Sequence, residues 1–442
     1  MIFETDKQTL TDLNLLGKYK SNSVYSLFAG AVTRGGDLEI ENMFLHPLAD
    51  AEAINHRIED FKCFSEHPLE FPFGKEEFDV VQQFIDRSGE KQMLMNVSQI
   101  VRAKAMFYIN HDPEYEMIKD NVCKSISFFR KAKNFFNELG GVIKGCDMEK
   151  SIAEAIKTLN DPQISQFLDT TVENPGLFSL LGMDRKLRSS YNVRLKLIIS
   201  ILEHVDVYIL VGRVARENNF CFPTAVQESD VIVSLKDMRH PRLSGAVSND
   251  IEVTKDKNIF FLTGANMAGK STLMKSFGIA VYMAHMGFPV AASAMNFRVM
   301  EGMYTSINVP DNINLGYSHF YAEVLRVKKV AVEISHNKRL LVIFDELFKG
   351  TNVKDAFDAT YAVTEAITGR KNCAFMVSTH IIEVGQELGK HCENVRFEYL
   401  PTIMKGSVPT YTYKLKEGIT NDKHGMIIIN NEKILEIING EI

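Results

Sequence analysis

The sequence predicts two parts of different class: an all-α region over residues 1–225, and an α/β region with buried, largely parallel strands over residues 226–442. Three observations carry this prediction. Apolar residues recur every three or four positions up to about residue 220, which is the period of a helix face. After Pro223 short apolar runs alternate with helical stretches, the pattern of a sheet covered by helices. Between one such run and one such stretch lies GANMAGKS, a glycine-rich turn at residues 264–271.

In the first part, SISFFRKAKNFFNEL sets Ile126, Phe129, Ala132, Phe136 and Leu139 on one helix face. Aromatics between Arg130, Lys131 and Lys133 could also serve as stacking platforms for nucleic acid. Core is the expected reading, because phenylalanines at helical spacing usually pack inward while intervening cations stay solvated. A second long helix is expected from Asp184 to about Asn218, ending before Pro223, which forces extended backbone on its predecessor. Its run LKLIISILEHVDVYILV contains Glu203, His204 and Asp206, which are costly in lipid, so a buried helix is predicted rather than a membrane span.

In the second part VIVSL, NIFFLT, RLLVIFDE and CAFMVSTH read as strands, and STLMKSFGIAVYMAHM and VKDAFDATYAVTEAI as helices. Net charge −6 argues against a strongly basic nucleic-acid binder and leaves room for a local basic patch, so charge does not settle the partner. Six scattered cysteines form no CxxC pair, so reduced thiols are expected rather than a zinc site or a disulfide framework. The N-terminus has no basic region followed by an apolar stretch, so no secretory signal is expected and the location expected is cytoplasmic.

The chemistry centres on the turn. Gly264, Gly269, Lys270 and Ser271 fit G-x-x-x-x-G-K-[ST] between a strand and a helix, which is the context the phosphate-loop pattern requires. The glycines let backbone N–H groups face phosphate, and the following helix adds its positive end. Lys270 is expected to reach the β- and γ-phosphates, and the Ser271 hydroxyl to sit on Mg²⁺. Asp345 and Glu346 end an apolar strand; Asp345 is expected to hold the magnesium shell and Glu346 to polarise the attacking water. If the strand ending in Ser378, Thr379 and His380 lies beside that of Asp345, His380 emerges at the same edge and can sense the γ-phosphate.

These residues resemble the MutS family of DNA mismatch-repair ATPases, within the wider ABC ATPase group. TGANMAGKSTLMKS is similar to that family's phosphate loop, DNINLGYSHFYAEV to its signature segment, FDELFKGTNVKDA to its acidic strand end, and STH to its switch histidine. MRHPRLSG and YKLKEGITNDKHGMIIIN resemble segments flanking that site. LEHVDVYILVGRVARENNFCFP and GAVTRGGDLEIENMFLHPLADAEAINHRIE resemble the helical core.

The resemblance implies an ABC-type ATPase domain preceded by a helical core or lever domain, with ATP and Mg²⁺ as cofactors. It adds Asn266, Met267 and Thr272 to the nucleotide contacts. It also implies a homodimer in which Ser318 reaches the γ-phosphate bound by the partner, and action on DNA with a repair-protein partner. Some residues depart from the family pattern: Ala246 stands where an aromatic commonly stacks on adenine, Ala265 and Ala268 stand for Pro and Gly, and Lys349 stands for Arg. Phe64-Ser65-Glu66 and Phe136-Asn137-Glu138 match the mismatch-wedge pattern F-x-E but fall in helical sequence and read as coincidence. The helical core begins within the first ten or so residues, so neither a mismatch-reading domain nor a complete DNA clamp is expected.

The leading expectation is a dimeric MutS-like ATPase acting on DNA without mismatch recognition of its own. The alternative is an ATP-gated protein-interaction switch that never touches DNA. A chromosome-structuring ATPase is weaker because no long heptad coiled coil is present. A GTPase is disfavoured by the absence of an NKxD-type motif.

Overall fold

The computed structural model describes residues 3–17, 22–87, 90–170, 174–265, 267–307, 319–405, 408–420 and 437–439. These divide into two compact units that are discontinuous in sequence: residues 28–42 with 59–216, and residues 1–27 with 43–58 and 217–442.

In the first unit every regular element described is a helix. Helix α2 (Arg34–Leu45) begins in it and α3 (Ala51–Glu66) ends in it. Between them and the last helix, α10 (Asn192–Glu217), lie α4 (Lys75–Asp86), α5 (Glu90–Asn110), α6 (Glu114–Val142), α7 (Met148–Leu159), α8 (Pro162–Asp169) and α9 (Leu177–Arg185). The predicted face of α6 is the core: Ile126, Phe129, Ala132, Phe136 and Leu139 are all buried.

The cations between them are not simply solvated. Arg130 donates to the carbonyls of Leu168 and Thr170 at 2.8 and 3.0 Å, Lys131 reaches Glu77 at 3.1 Å and Lys133 reaches Asp169 at 3.0 Å. That leaves little for a nucleic-acid groove on this face. The expected single helix from Asp184 is interrupted by a π-helical turn at Lys186–Ser190, beside the buried Asp184, which accepts from Arg188 at 2.7 Å. The polar residues of the apolar run on α10 each have a partner. Asp206 accepts from Thr33 N and Oγ1 at 2.7 and 2.9 Å, Glu203 from Gln82 at 2.8 Å, and His204 meets Glu39 at 2.8 Å. Among the described residues no helix is long and apolar enough to cross a membrane.

The second unit holds the strands. Six form one sheet in the order β12 (Lys416–Glu417), β9 (Val395–Leu400), β4 (Ile259–Gly264), β8 (Ala374–Ser378), β7 (Leu340–Asp345) and β6 (Gly302–Ser306). All neighbours are parallel except β12 with β9. Strands β4, β7 and β8 are buried along their whole length, as a parallel sheet covered on both faces requires. Helices α11 (Lys270–His285), α12 (His319–Ser335), α13 (Val353–Ile367) and α14 (Ile382–His391) connect or follow these strands.

A second sheet, absent from the sequence expectation apart from VIVSL, has the order β1 (Thr224–Val226), β5 (Ala294–Arg298), β2 (Val231–Met238) and β3 (Asn249–Thr254). Strands β10 (Thr402–Lys405) and β11 (Val408–Tyr411) form a hairpin.

Expected division by chain order at 225/226 thus differs from the compact units, because the N-terminal residues fold with the strands. Glu4 pairs in parallel with Gly302 on the edge strand β6, and α1 (Lys7–Asp12) packs on that strand. All six cysteines are free.

Candidate nucleotide site

Strand β4 delivers the chain to the turn at its C-terminal edge, and α11 begins at Lys270 directly after it. Gly264 and Gly269 take φ of 151° and 100°, conformations that glycine adopts without a Cβ penalty. Met267 takes φ 73° and is exposed. Asn266 lies outside the described residues. The side chain of Lys270 is buried, and its ammonium donates to the carbonyls of Gly264 at 2.9 Å and Ala265 at 3.4 Å. It also stands 3.5 Å from Glu346 Oε1. Ser271 and Thr272 are exposed on the first turn of α11.

The acidic pair arrives on β7, separated from β4 only by β8. Asp345 pairs in register with Ser378, whose hydroxyl donates to its carboxylate. Glu346 follows in the left-handed region at φ 53°, and Phe348 at φ 61°. Such backbone costs on the order of 1–3 kcal/mol per residue and persists only where surroundings enforce it. Here the Glu346 N–H donates to Ser378 O and Oγ at 3.1 and 3.2 Å. The turn aims the Glu346 carboxylate at Lys270 instead of along the strand. His380 stands two residues past the end of β8, on the edge shared with Gly264 and Asp345, and is exposed. Ser318 falls outside the described residues, while α12 begins one residue later.

A cavity of about 630 Å³ opens over this edge, lined by Lys270, Ser271, Thr272 and Glu346 at one end and by His240, Ala246 and Tyr413 elsewhere. That volume suits a drug-sized ligand, for which sites run roughly 300–1,000 Å³. Burial pushes the His240 pKa below its ordinary value, and the charges of Lys275 and Arg242 push the same way.

Tyr413 was not singled out by sequence reasoning. Asn249 donates to Tyr413 O at 2.9 Å and accepts from Leu415 N at 2.8 Å, pinning the segment. This sets the Tyr413 ring so close to the turn that a Cβ on Gly269 would lie 3.0 Å from it. Ala246 supplies no ring at the cavity wall; Tyr413, contributed from much later in the chain, does.

Two further contacts bind the loop after β7 to its neighbours. Glu323 of α12 is buried and accepts from Gly350 N at 3.4 Å, and Asn352 caps α13 by accepting from Asp355 N at 3.0 Å. Among the described residues no group of three or more His, Cys, Asp or Glu could hold a metal ion. The oxygen set of Ser271 and Asp345 nonetheless suits Mg²⁺, which takes one or two protein oxygens and completes its shell with phosphate and water.

Residues 260–439 match the MutS domain V family model. Across 96% of its length the chain is 24% identical to the DNA mismatch repair protein MutS of Petrotoga mobilis, covering 62% of that protein. It is 26% identical to the MutS of Lactococcus lactis subsp. cremoris strain MG1363 over 72% of the chain and 37% of the relative. The corresponding protein of Shouchella clausii is 26% identical over 57% of the chain and 29% of the relative. The chain thus spans less than two thirds of the length of each of these relatives.

Proposed function

We propose, for a chain that carries a MutS domain V and is MutS-like over most of its remaining length, that it binds and hydrolyses ATP and uses the cycle to act on DNA in a repair-related process. The observation supporting hydrolysis is the pairing of Lys270 with Glu346 at 3.5 Å in the wall of a cavity of about 630 Å³, with Asp345 next to Glu346 at the end of β7. In this reading Gly264, Met267, Gly269 and Thr272 line the phosphate path with Asn266, and Lys270 leaves the carbonyls of Gly264 and Ala265 to meet the β- and γ-phosphates. Tyr413 offers a face to the adenine in place of Ala246.

Ser271 and Asp345 would hold Mg²⁺, whose chemistry there is to neutralise charge on the phosphate oxygens. Glu346 orients and deprotonates the attacking water, and its pairing with Lys270 keeps its carboxylate at the site until phosphate takes the lysine. His380 senses the γ-phosphate from the neighbouring strand. ATP closes a homodimer in which Ser318 of each protomer completes the other's site; hydrolysis releases it, and the helical unit acts as a lever biased by the nucleotide. Mismatch reading is not among the roles assigned to these residues.

Binding of labelled homoduplex, mismatched and branched DNA, measured without nucleotide and with Mg²⁺ plus a non-hydrolysable ATP analogue across a salt series, tests the DNA half. Nucleotide-dependent binding with a structural preference is expected. Absence of binding at low salt in a protein that still hydrolyses ATP would replace this reading with an ATP-gated protein-interaction switch.

A further inference from the structure

Residues 3–15 touch α11, which carries Lys270, and α12, although their partners on those helices lie roughly 265 to 325 residues further along the chain. On one side they meet α11. The Phe3 ring lies 6.0 Å from that of Tyr282 and 4.4 Å from that of His285, centroid to centroid. Leu13 fills the space over Gly278, where a Cβ would lie 2.9 Å from Leu13 Cδ2. The backbone of Glu4 closes the sheet edge, donating to Glu301 O at 2.8 Å and accepting from Met303 N at 2.9 Å.

On the other side the same residues hold β6 and α12. The Asp6 carboxylate accepts from Arg326 and from Lys329, the latter at 2.7 Å, both on α12. Burial alone would raise the Asp6 pKa, but the hydrogen bonds from Arg326 and Lys329 outweigh it and hold the carboxyl well below the usual range. Arg326 also donates to Thr305 O, so one guanidinium joins Asp6, α12 and β6. Thr9 Oγ1 accepts from Thr305 N at 3.0 Å. Asp12 is buried and accepts from Thr305 Oγ1 at 2.8 Å and from Ile307 N at 2.9 Å, while Gln8 donates to its other oxygen at 2.9 Å. Strand β6 pairs in parallel with β7, with Ser306 beside Phe344, one residue before Asp345.

We propose that Asp12, supported by Asp6, is a positioning residue for ATP turnover: Asp12 fixes the end of β6, whose neighbour β7 carries Asp345, and Asp6 with Arg326 ties α12, which holds the loop after β7 through Glu323, to the same edge. The proposal rests on the reading of Asp345 and Glu346 as the residues that hold Mg²⁺ and activate the attacking water. Asp12 touches no substrate; it acts through Thr305 and Ile307. A hydrogen-bonded carboxylate suits this task because it accepts from one hydroxyl and one backbone N–H of the same strand end and cannot rotate away without leaving both unsatisfied.

The test uses the full chain with Asp12→Ala and Asp12→Asn, read by ADP affinity, kcat for ATP and amide exchange of residues 305–307. Asp12→Ala is expected to leave ADP affinity within about twofold, lower kcat at least tenfold and speed exchange of the Ile307 amide at least tenfold. Asp12→Asn is expected to restore kcat and exchange, because its amide oxygen still accepts from Thr305 and Ile307 and its NH₂ meets the Gln8 amide after a flip. Turnover and exchange of Asp12→Ala within twofold of wild type would overturn the proposal. So would a parallel fall in ADP affinity and kcat that Asp12→Asn does not rescue, which is the mark of general damage. A wild-type protein that turns over no ATP would sink the ATPase reading instead; the exchange comparison then still decides, with unchanged exchange counting against the anchor.

Discussion

At the scale of single residues, the informative positions are those where a side chain or backbone angle departs from the local norm. Glu346 combines a left-handed backbone with a carboxylate aimed at a buried lysine. A structural acid at a strand end needs neither. If it is the base, Glu346→Gln keeps the shape and removes only the proton acceptor. Single-turnover phosphate release should then fall by about 10²–10⁴, while equilibrium binding of a fluorescent ATP analogue stays close to wild type. A variant that hydrolyses normally would reassign the role.

The lesson of Tyr413 is different. The segment it opens resembles one flanking the site, yet nothing in its residues assigns the ring a place, and Asn249, far away along the chain, holds it beside the glycine turn. A search for an aromatic at the position of Ala246 finds nothing, since the ring comes from another element. The aromatic wall of the cavity was therefore illegible locally.

At the scale of elements, helical periodicity was a faithful guide where one face alone is buried. The α6 face from Ile126 to Leu139 and the span of α13 at Val353–Ile367 follow directly from apolar spacing. It does not tell where helices meet backbone to backbone. Gly212 on α10 sits against α3, and a Cβ there would lie 2.8 Å from Ser65 N and 2.9 Å from the carbonyl carbon of Phe64. Replacing it with Ala would recover about 1 kcal/mol of helix propensity. Forcing atoms into a packed contact costs about 1–3 kcal/mol, and backbone has no rotamer with which to yield. Gly212→Ala is therefore expected to lower the urea midpoint of unfolding; an unchanged or raised midpoint would show that α3 and α10 can part at no cost. The π-turn at Lys186–Ser190 was also missed, because a single inserted residue barely disturbs the apolar spacing on either side.

At the scale of the whole molecule, the proposed cycle makes its clearest claim about assembly. The γ-phosphate contact attributed to Ser318 belongs to a second protomer, so mass measured by light scattering should double in Mg²⁺ and a non-hydrolysable ATP analogue and return to the monomer value in ADP. Ser318→Ala should abolish the ATP-dependent doubling while sparing nucleotide binding. A mass independent of nucleotide in the wild type would remove the shared site from the mechanism.

By itself the sequence determined the local chemistry: a glycine turn followed by Lys270 and Ser271, a buried strand ending in Asp345 and Glu346, and the family those motifs resemble. Each is set by residues adjacent in the chain, where φ preference, apolar spacing and charge act over a few positions. The tertiary structure alone decided which distant residues stand beside the glycine turn and how the chain divides. Tyr413 reaches the turn through Asn249, and residues 3–15 leave the helical half to close the edge of β6 and grip Thr305, Ile307 and Arg326. The physical reason is that an open sheet edge and buried polar groups must be satisfied, but any segment of suitable shape can satisfy them, and sequence distance does not say which.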